Sequence, residues 1–129
     1  MISRRSLFHA GMAAAATGAA TAIPNIARAQ ALEEIPLWPG SPPGQGGVTG
    51  PERIGSEGSG FGAVSNISTP RMRVYRPNIS NGKAVIVCGG GGYFRIQLWK
   101  ESTPISLWLQ LRGYTVFELV FRLPNDGWD

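Results

Sequence analysis

The stretch Ala84–Tyr93 reads AVIVCGGGGY, five small or apolar residues that stop at four consecutive glycines. A short apolar run with Val and Ile, bounded by turn residues, predicts a strand that is buried on both faces. The glycines allow backbone conformations that a Cβ would forbid, and they leave N–H groups open to a ligand. Open α/β sheets bind ligands in loops that follow the carboxyl ends of their central strands. A plain flexible turn is the alternative at this point.

The flanking segments predict that this strand belongs to a βαβ unit. Upstream, Val64–Tyr75 alternates polar and apolar residues, which is typical of a strand with one solvated face. Downstream, Thr103 and Pro104 predict the N-cap and first residue of a helix, and Gly113 predicts its end. A second apolar run, Thr115–Phe121, predicts a parallel strand reached by a right-handed crossover. At helical spacing, the side of this helix expected to pack on the sheet carries Ile105, Trp108, Leu109 and Arg112.

Residues 1–29 have the features of a bacterial export signal. Ser3–Phe8 reads SRRSLF, a twin-arginine pattern, Ala10–Ile23 is alanine-rich and modestly apolar, and Ala27–Ala29 has the small-x-small form of a cleavage site. The apolar part is too short and too weak for a spanning helix, which needs ~20 apolar residues. We therefore expect cleavage after Ala29, export through the twin-arginine translocon, and a periplasmic or secreted protein. A retained N-terminal anchor is the alternative.

Residues 30–62 form a lead-in rich in proline and glycine. Five prolines and nine glycines lie between Pro36 and Gly62, and no hydrophobic period survives among them. This composition predicts no helix, although a short strand is expected around Arg53 and Ile54. The chain therefore divides into 1–29, 30–62 and a folded part at 63–129.

Charge and cysteine content exclude several classes of function. The formal net charge is +4, but removing Arg4, Arg5 and Arg28 from the 12 basic residues leaves nine against eight acidic ones. A mature charge of +1 does not predict nucleic-acid binding. Cys88 is the only cysteine of the sequence, which excludes an internal disulfide and a cysteine-rich metal site. We expect it to be a small core residue, and we expect no metal and no cofactor.

The glycine run fits neither of the common nucleotide-binding motifs. A P-loop ends in Gly-Lys-Ser/Thr, but here Tyr93 follows the glycines. A G-x-G-x-x-G pattern counted from Gly89 or Gly90 ends at Phe94 or Arg95. The remaining interpretation is an oxyanion loop, in which glycine N–H groups stabilise the negative oxygen of an acyl-transfer intermediate. In α/β-hydrolases such a loop follows the third strand and precedes the first main helix.

Several sequence blocks of the mature chain together carry a family resemblance: Ile35–Gly40, Val64–Pro70, Val74–Pro77, Val85–Tyr93, Lys100–Glu101, Trp108–Leu109, Phe121–Pro124 and Asp126–Trp128. On these blocks the chain resembles the start of bacterial α/β-hydrolases of the esterase/lipase type, close to acetyl xylan esterases. One position departs from the pattern, because the family usually has a proline where this chain has Gly89.

The resemblance implies an α/β fold in which residues 63–129 are the truncated N-terminal part of an α/β-hydrolase domain. It implies a βαβ unit with preceding strands in an incomplete sheet, where a later strand beside Ala84–Cys88 is absent. We therefore expect the isolated chain to be poorly folded, since an apolar strand edge and one sheet face lack their cover. The resemblance also assigns Gly90, Gly91 and Gly92 to the oxyanion hole. It places Tyr93 in the wall of the acyl pocket, the alternative being packing beneath the loop.

The chain carries no catalytic triad. No G-x-S-x-G occurs, the only histidine is His9 in the export signal, and Ser59 lies in a glycine-rich loop without a preceding strand. We interpret three acidic residues, Glu101, Glu118 and Asp126, as isolated carboxylates that are solvated or form ordinary surface ion pairs. Nothing in the sequence places two of them on either side of a sugar bond, as glycoside hydrolysis requires.

Two functions of different classes follow. One is the N-terminal fragment of an exported carboxylic-ester hydrolase that acts on a small ester or acetylated carbohydrate. The other is a small exported binding or structural protein, derived from a hydrolase and without catalysis.

Overall fold

A computed structural model describes residues 32–44, 47–48 and 50–127. The strands are β1 (Glu33–Pro36), β2 (Arg53–Ile54), β3 (Val64–Ser65), β4 (Arg71–Tyr75), β5 (Ala84–Cys88) and β6 (Thr115–Val120). The helix α1 (Thr103–Gln110) directly follows a wide, π-type turn at Leu98–Ser102. The predicted export signal lies outside the described residues.

Four strands form a mixed sheet in the order β1-β4-β6-β5. β1 and β6 flank β4 in antiparallel orientation, whereas β5 and β6 are parallel and joined through α1. The predicted βαβ unit is therefore confirmed. β2 and β3 form a separate antiparallel pair, which confirms the short strand expected at Arg53 and Ile54.

The strand expected over Val64–Tyr75 is two strands. Asn66 takes a left-handed conformation with φ of 58°, and Pro70 lacks the N–H that a continuing ladder would need. The chain consequently leaves one sheet after Ser65 and enters the other at Arg71.

Strand β1 lies inside the lead-in, where the sequence predicted only extended loop. All four of its residues are exposed, so no apolar period marks it. Ion pairs join it to β4 and the residue after it: Glu34 contacts Arg71 at 2.9 Å, and Glu33 contacts Arg76 at 2.7 Å.

The core consists of two clusters against the sheet. The larger is formed by Val64, Ile67, Ile96, Leu98, Val120 and Leu123. The smaller contains Tyr75, Val87 and Val116, with Leu109 of α1 packed against it.

The helix packs on the sheet through only part of the predicted side, because Leu109 alone of the predicted residues packs against the core. Ser106 is fully buried, whereas Ile105 and Trp108 are about half exposed. Arg112 stacks over the Trp108 ring at 3.6 Å, away from the sheet. Thr103 is not an N-cap, because its φ and ψ are already helical at −62° and −45°. The π-type turn before α1 winds the chain more widely than an α-helix, so the sequence period does not give the buried side. Gly113 ends the helical region with a φ of 86°, as predicted.

Strand β5 is not buried on both faces. Among the described residues it is an edge strand whose one partner is β6, and α1 covers one of its faces. Val87 points to that face and is buried, while Ile86 is 63% exposed. Cys88 is exposed too, so the expectation that it is a core residue is wrong.

Candidate functional site

The loop after β5 needs glycine at two of its positions. Gly91 and Gly92 have φ values of 147° and 66°, in the region that side chains with a Cβ rarely adopt. A Cβ on Gly91 would also collide with the backbone carbonyl of Arg95. Tyr93 follows with a φ of 66°, which is uncommon for a residue other than glycine. The backbone is thus held in a tight, reversed path at the carboxyl end of β5.

Gly90 anchors this loop to the turn before α1. Its N–H donates to Oε2 of Glu101 at 2.8 Å, and its carbonyl accepts the N–H of Gln97 at 2.8 Å. Glu101 is therefore not an isolated carboxylate. A carboxylate oxygen of the chain itself accepts the Gly90 N–H, so a substrate oxygen could accept that hydrogen bond only after displacing Glu101.

The next two amides have a different environment. Within the part of the chain that the structure describes, the N–H groups of Gly91 and Gly92 donate to no protein acceptor. A cavity of about 350 Å³ opens at this point, lined by Gly89–Tyr93, Arg95, Phe121 and Leu123. Tyr93 lies on its wall and is 74% exposed, which excludes packing beneath the loop. The arrangement offers two backbone donors to an anionic oxygen in a partly apolar cavity.

Glu118 is the centre of a buried hydrogen-bond network, not a surface carboxylate. Its side chain is 0% exposed in the middle of β6. Oε1 accepts the hydroxyls of Ser102 at 2.8 Å and Thr103 at 2.7 Å. Oε2 accepts the Tyr75 hydroxyl at 2.8 Å and Nη1 of Arg73 at 3.0 Å. All its strong acceptor positions are satisfied, which is how a buried charge is tolerated.

This network ties the start of α1 to the sheet and so fixes the far end of the glycine loop. It also changes the chemistry of Tyr75. Burial, together with the hydrogen bond to Glu118, raises the pKa of Tyr75 to about 12. The phenol therefore stays neutral and donates to the carboxylate at physiological pH.

Asp126 also has a structural role. Its two carboxylate oxygens accept the N–H groups of Asn66 at 3.3 Å and Ile67 at 3.2 Å. The expectation that Glu101, Glu118 and Asp126 are isolated is wrong in all three cases. Their partners are 11 to 60 residues away along the chain, so no local pattern could have revealed them.

Neither Ser59 nor Ser102 lines the cavity beside the glycine loop. Ser59 is exposed, and its carbonyl accepts the side-chain amide of Gln97 at 3.0 Å. Ser102 is buried and already donates to Glu118. Across residues 32–44, 47–48 and 50–127, no group of three or more His, Cys, Asp or Glu could hold a metal ion. In the same ranges, no helix has the length and apolar character to cross a membrane.

The chain matches no protein-family model, no curated protein and no solved structure.

Proposed function

We propose that the chain is the N-terminal part of an exported carboxylic-ester hydrolase, similar to acetyl xylan esterases, and that its glycine loop is the oxyanion hole. The observation that carries the proposal is the pair of unoccupied N–H groups of Gly91 and Gly92. They lie at the carboxyl end of a parallel strand and beside a cavity. A loop of this geometry suits stabilisation of a tetrahedral acyl intermediate.

In the complete enzyme, a serine from a later part of the chain attacks the ester carbonyl. The carbonyl oxygen becomes negative as the new C–O bond forms, and the N–H groups of Gly91 and Gly92 donate hydrogen bonds to it. Gly90 keeps its bond to Glu101 and holds the loop in place; it becomes a third donor only if that carboxylate moves away. Each oxyanion donor typically contributes ~3 kcal/mol of transition-state stabilisation.

The substrate is a small ester or an acetylated carbohydrate. Phe121 and Leu123 supply apolar wall to the cavity, and Tyr93 stands at its exposed side, so a short acyl group fits between them. The twin-arginine pattern and cleavage site of residues 1–29 support export through the twin-arginine translocon and a periplasmic or secreted location.

The open side of the sheet supports a larger domain. Among the described residues one edge of β5 has no partner strand, and Ile86 on its uncovered face is largely exposed. Parallel strands are normally covered on both faces. A further strand beside β5, and helices on the uncovered face, would bury this surface and bring the nucleophile to the loop.

A non-catalytic exported binding or structural protein is the second candidate. The bond between Glu101 and the Gly90 N–H favours it, because a carboxylate beside the loop repels a developing oxyanion.

Sequencing the DNA beyond the Asp129 codon separates the two. The ester hydrolase requires a downstream G-x-S-x-G and a histidine, in this frame or a shifted one. If neither is encoded in any frame, the proposal is wrong.

Kinetics of the complete protein test the loop itself. Gly91→Val should lower kcat for a short-chain aryl acetate by roughly a hundredfold or more, with less effect on KM. Gly40→Val is the matched control, because no atom lies within 4 Å of the position that its Cβ would take. Equal activity of both variants would contradict the assignment. The 129-residue chain alone should show no turnover above buffer.

A further inference from the structure

Three polar side chains form a row across the smaller sheet. Arg53 of β2 lies directly opposite Ser65 of β3. On the other side of β3, an antiparallel bridge joins Val64 to Ile96, and this register places Arg95 opposite Ser65. Residues directly opposite each other in a ladder project from the same face, with Cβ atoms ~5 Å apart. Two arginines therefore flank one serine hydroxyl on a common face.

This row lines a cavity of about 250 Å³. Its other walls are Ile54, Gly55, Gly60, Ala63 and Phe94. Nη1 of Arg95 lies 3.6 Å from the position that a Cβ on Gly60 would take, so the guanidinium reaches the Gly60 wall of this cavity. No acidic residue is part of the lining.

Neither cation has a counter-ion among the residues that the structure describes. Other arginines of the fold, Arg71, Arg73 and Arg76, each pair with a glutamate. Among the described residues, no carboxylate lies within 4.0 Å of the side-chain nitrogens of Arg53 or Arg95, and Nε of Arg95 is buried without a hydrogen-bond acceptor. Leaving a buried charged donor unsatisfied is unfavourable, and an anion in the cavity would remove that cost.

We infer that the cavity between Arg53 and Arg95 binds a small oxyanion, namely a carboxylate or phosphate group. Guanidinium groups present forked donors that match the oxygens of these anions, and the Ser65 hydroxyl adds a donor between them. The site is independent of the amides of the glycine loop.

The position of Arg95 connects this site to the loop. Arg95 also lines the cavity beside Gly91 and Gly92, and its carbonyl lies against Gly91. If the proposed function holds, the substrate is an ester that also carries a carboxylate. The carboxylate would lie between the arginines while the ester carbonyl faces the glycine amides.

Direct binding tests the site without any turnover, so its failure is distinguishable from failure of the esterase proposal. Urea unfolding of the chain is followed in an osmolyte-containing buffer, which favours the folded state. Sodium glucuronate, inorganic phosphate and neutral glucose are compared at ionic strength matched with sodium chloride. Ligands that bind only the folded state raise the unfolding midpoint. Phosphate or glucuronate should raise it, and glucose should not.

Variants locate the effect. Arg53→Gln and Arg95→Gln should abolish the shift, whereas the exposed Lys83→Gln, which removes the same charge elsewhere, should keep it. Saturation-transfer NMR of glucuronate reports binding even where a variant is weakly stable. Equal shifts in all three variants, or an equal effect of glucose, would overturn the inference. A shift with phosphate but not with glucuronate supports the site only if Arg53→Gln and Arg95→Gln abolish it, because phosphate also stabilises folded proteins without binding a site; that result would rule out a substrate with a carboxylate.

Discussion

Replacing Glu118 tests whether the buried carboxylate holds the sheet and helix together. In Glu118→Leu, the hydroxyls of Ser102, Thr103 and Tyr75 and the guanidinium of Arg73 all lose their acceptor. Breaking a buried charged pair typically costs about 3–5 kcal/mol, so we expect a loss near ~4 kcal/mol. Glu118→Gln keeps the shape and one acceptor oxygen but loses the charge-assisted bonds, and we expect ~2 kcal/mol.

The free energy of unfolding is measured by urea titration with circular dichroism, in the osmolyte-containing buffer. Glu57→Gln, at an exposed position, is the control and should change stability by less than ~0.5 kcal/mol. Replacing all members of a buried ion pair by apolar residues can leave stability unchanged. Removing one partner alone leaves the other charge unpaired and lowers stability. A Glu118→Leu variant as stable as the unmodified chain would therefore refute the assigned role of this network.

Three further predictions follow from single side chains. The pKa of Tyr75 is raised to about 12 from its ordinary value of 10, so stability present below pH ~10 should be lost as the pH rises toward ~12. In urea titrations at alkaline pH, the Tyr75→Phe variant should not show this pH-dependent loss of stability. Ser106→Ala should leave stability unchanged or raise it by up to ~1 kcal/mol, because the buried Ser106 hydroxyl has no partner among the described residues. A clearly lower midpoint of thermal unfolding would contradict this. Ile86→Lys should reduce self-association and apolar-dye binding without lowering the unfolding midpoint, since Ile86 is exposed on the edge strand. Light scattering measures the self-association and dye fluorescence the exposed apolar surface. Unchanged scattering would contradict the prediction.

Elements with a local signal could be predicted from the sequence. The apolar runs gave β5 within Ala84–Tyr93 and β6 within Thr115–Phe121, and Gly113 marked the end of the helical region. β1 could not be predicted, because it is exposed and is held by charges whose partners lie far along the chain. The buried side of α1 was predicted only in part: Leu109 packs against the core, but Ile105 and Trp108 are about half exposed, because the π-type turn before the helix changes the period.

The candidate site was only partly accessible to the same reasoning. Four consecutive glycines identified the loop, because few other roles need that backbone freedom. The bond between Glu101 and Gly90 depends on how the turn before α1 folds back over β5, which sequence spacing does not give. The row of Arg53, Ser65 and Arg95 depends on the register of two strand pairings and was likewise invisible.

The order β1-β4-β6-β5 has a consequence for how the chain folds. β6 is the last of the described strands along the sequence, yet it lies between β4 and β5. Until Thr115–Val120 has been synthesised, β5 has no strand to pair with, and α1 lacks the glutamate that fastens it. Contacts between residues distant in sequence form late, because the intervening chain must first be closed into a loop. Folding should therefore be concentrated in one late step, and chains that stop short of Thr115 should lose the larger sheet as a whole.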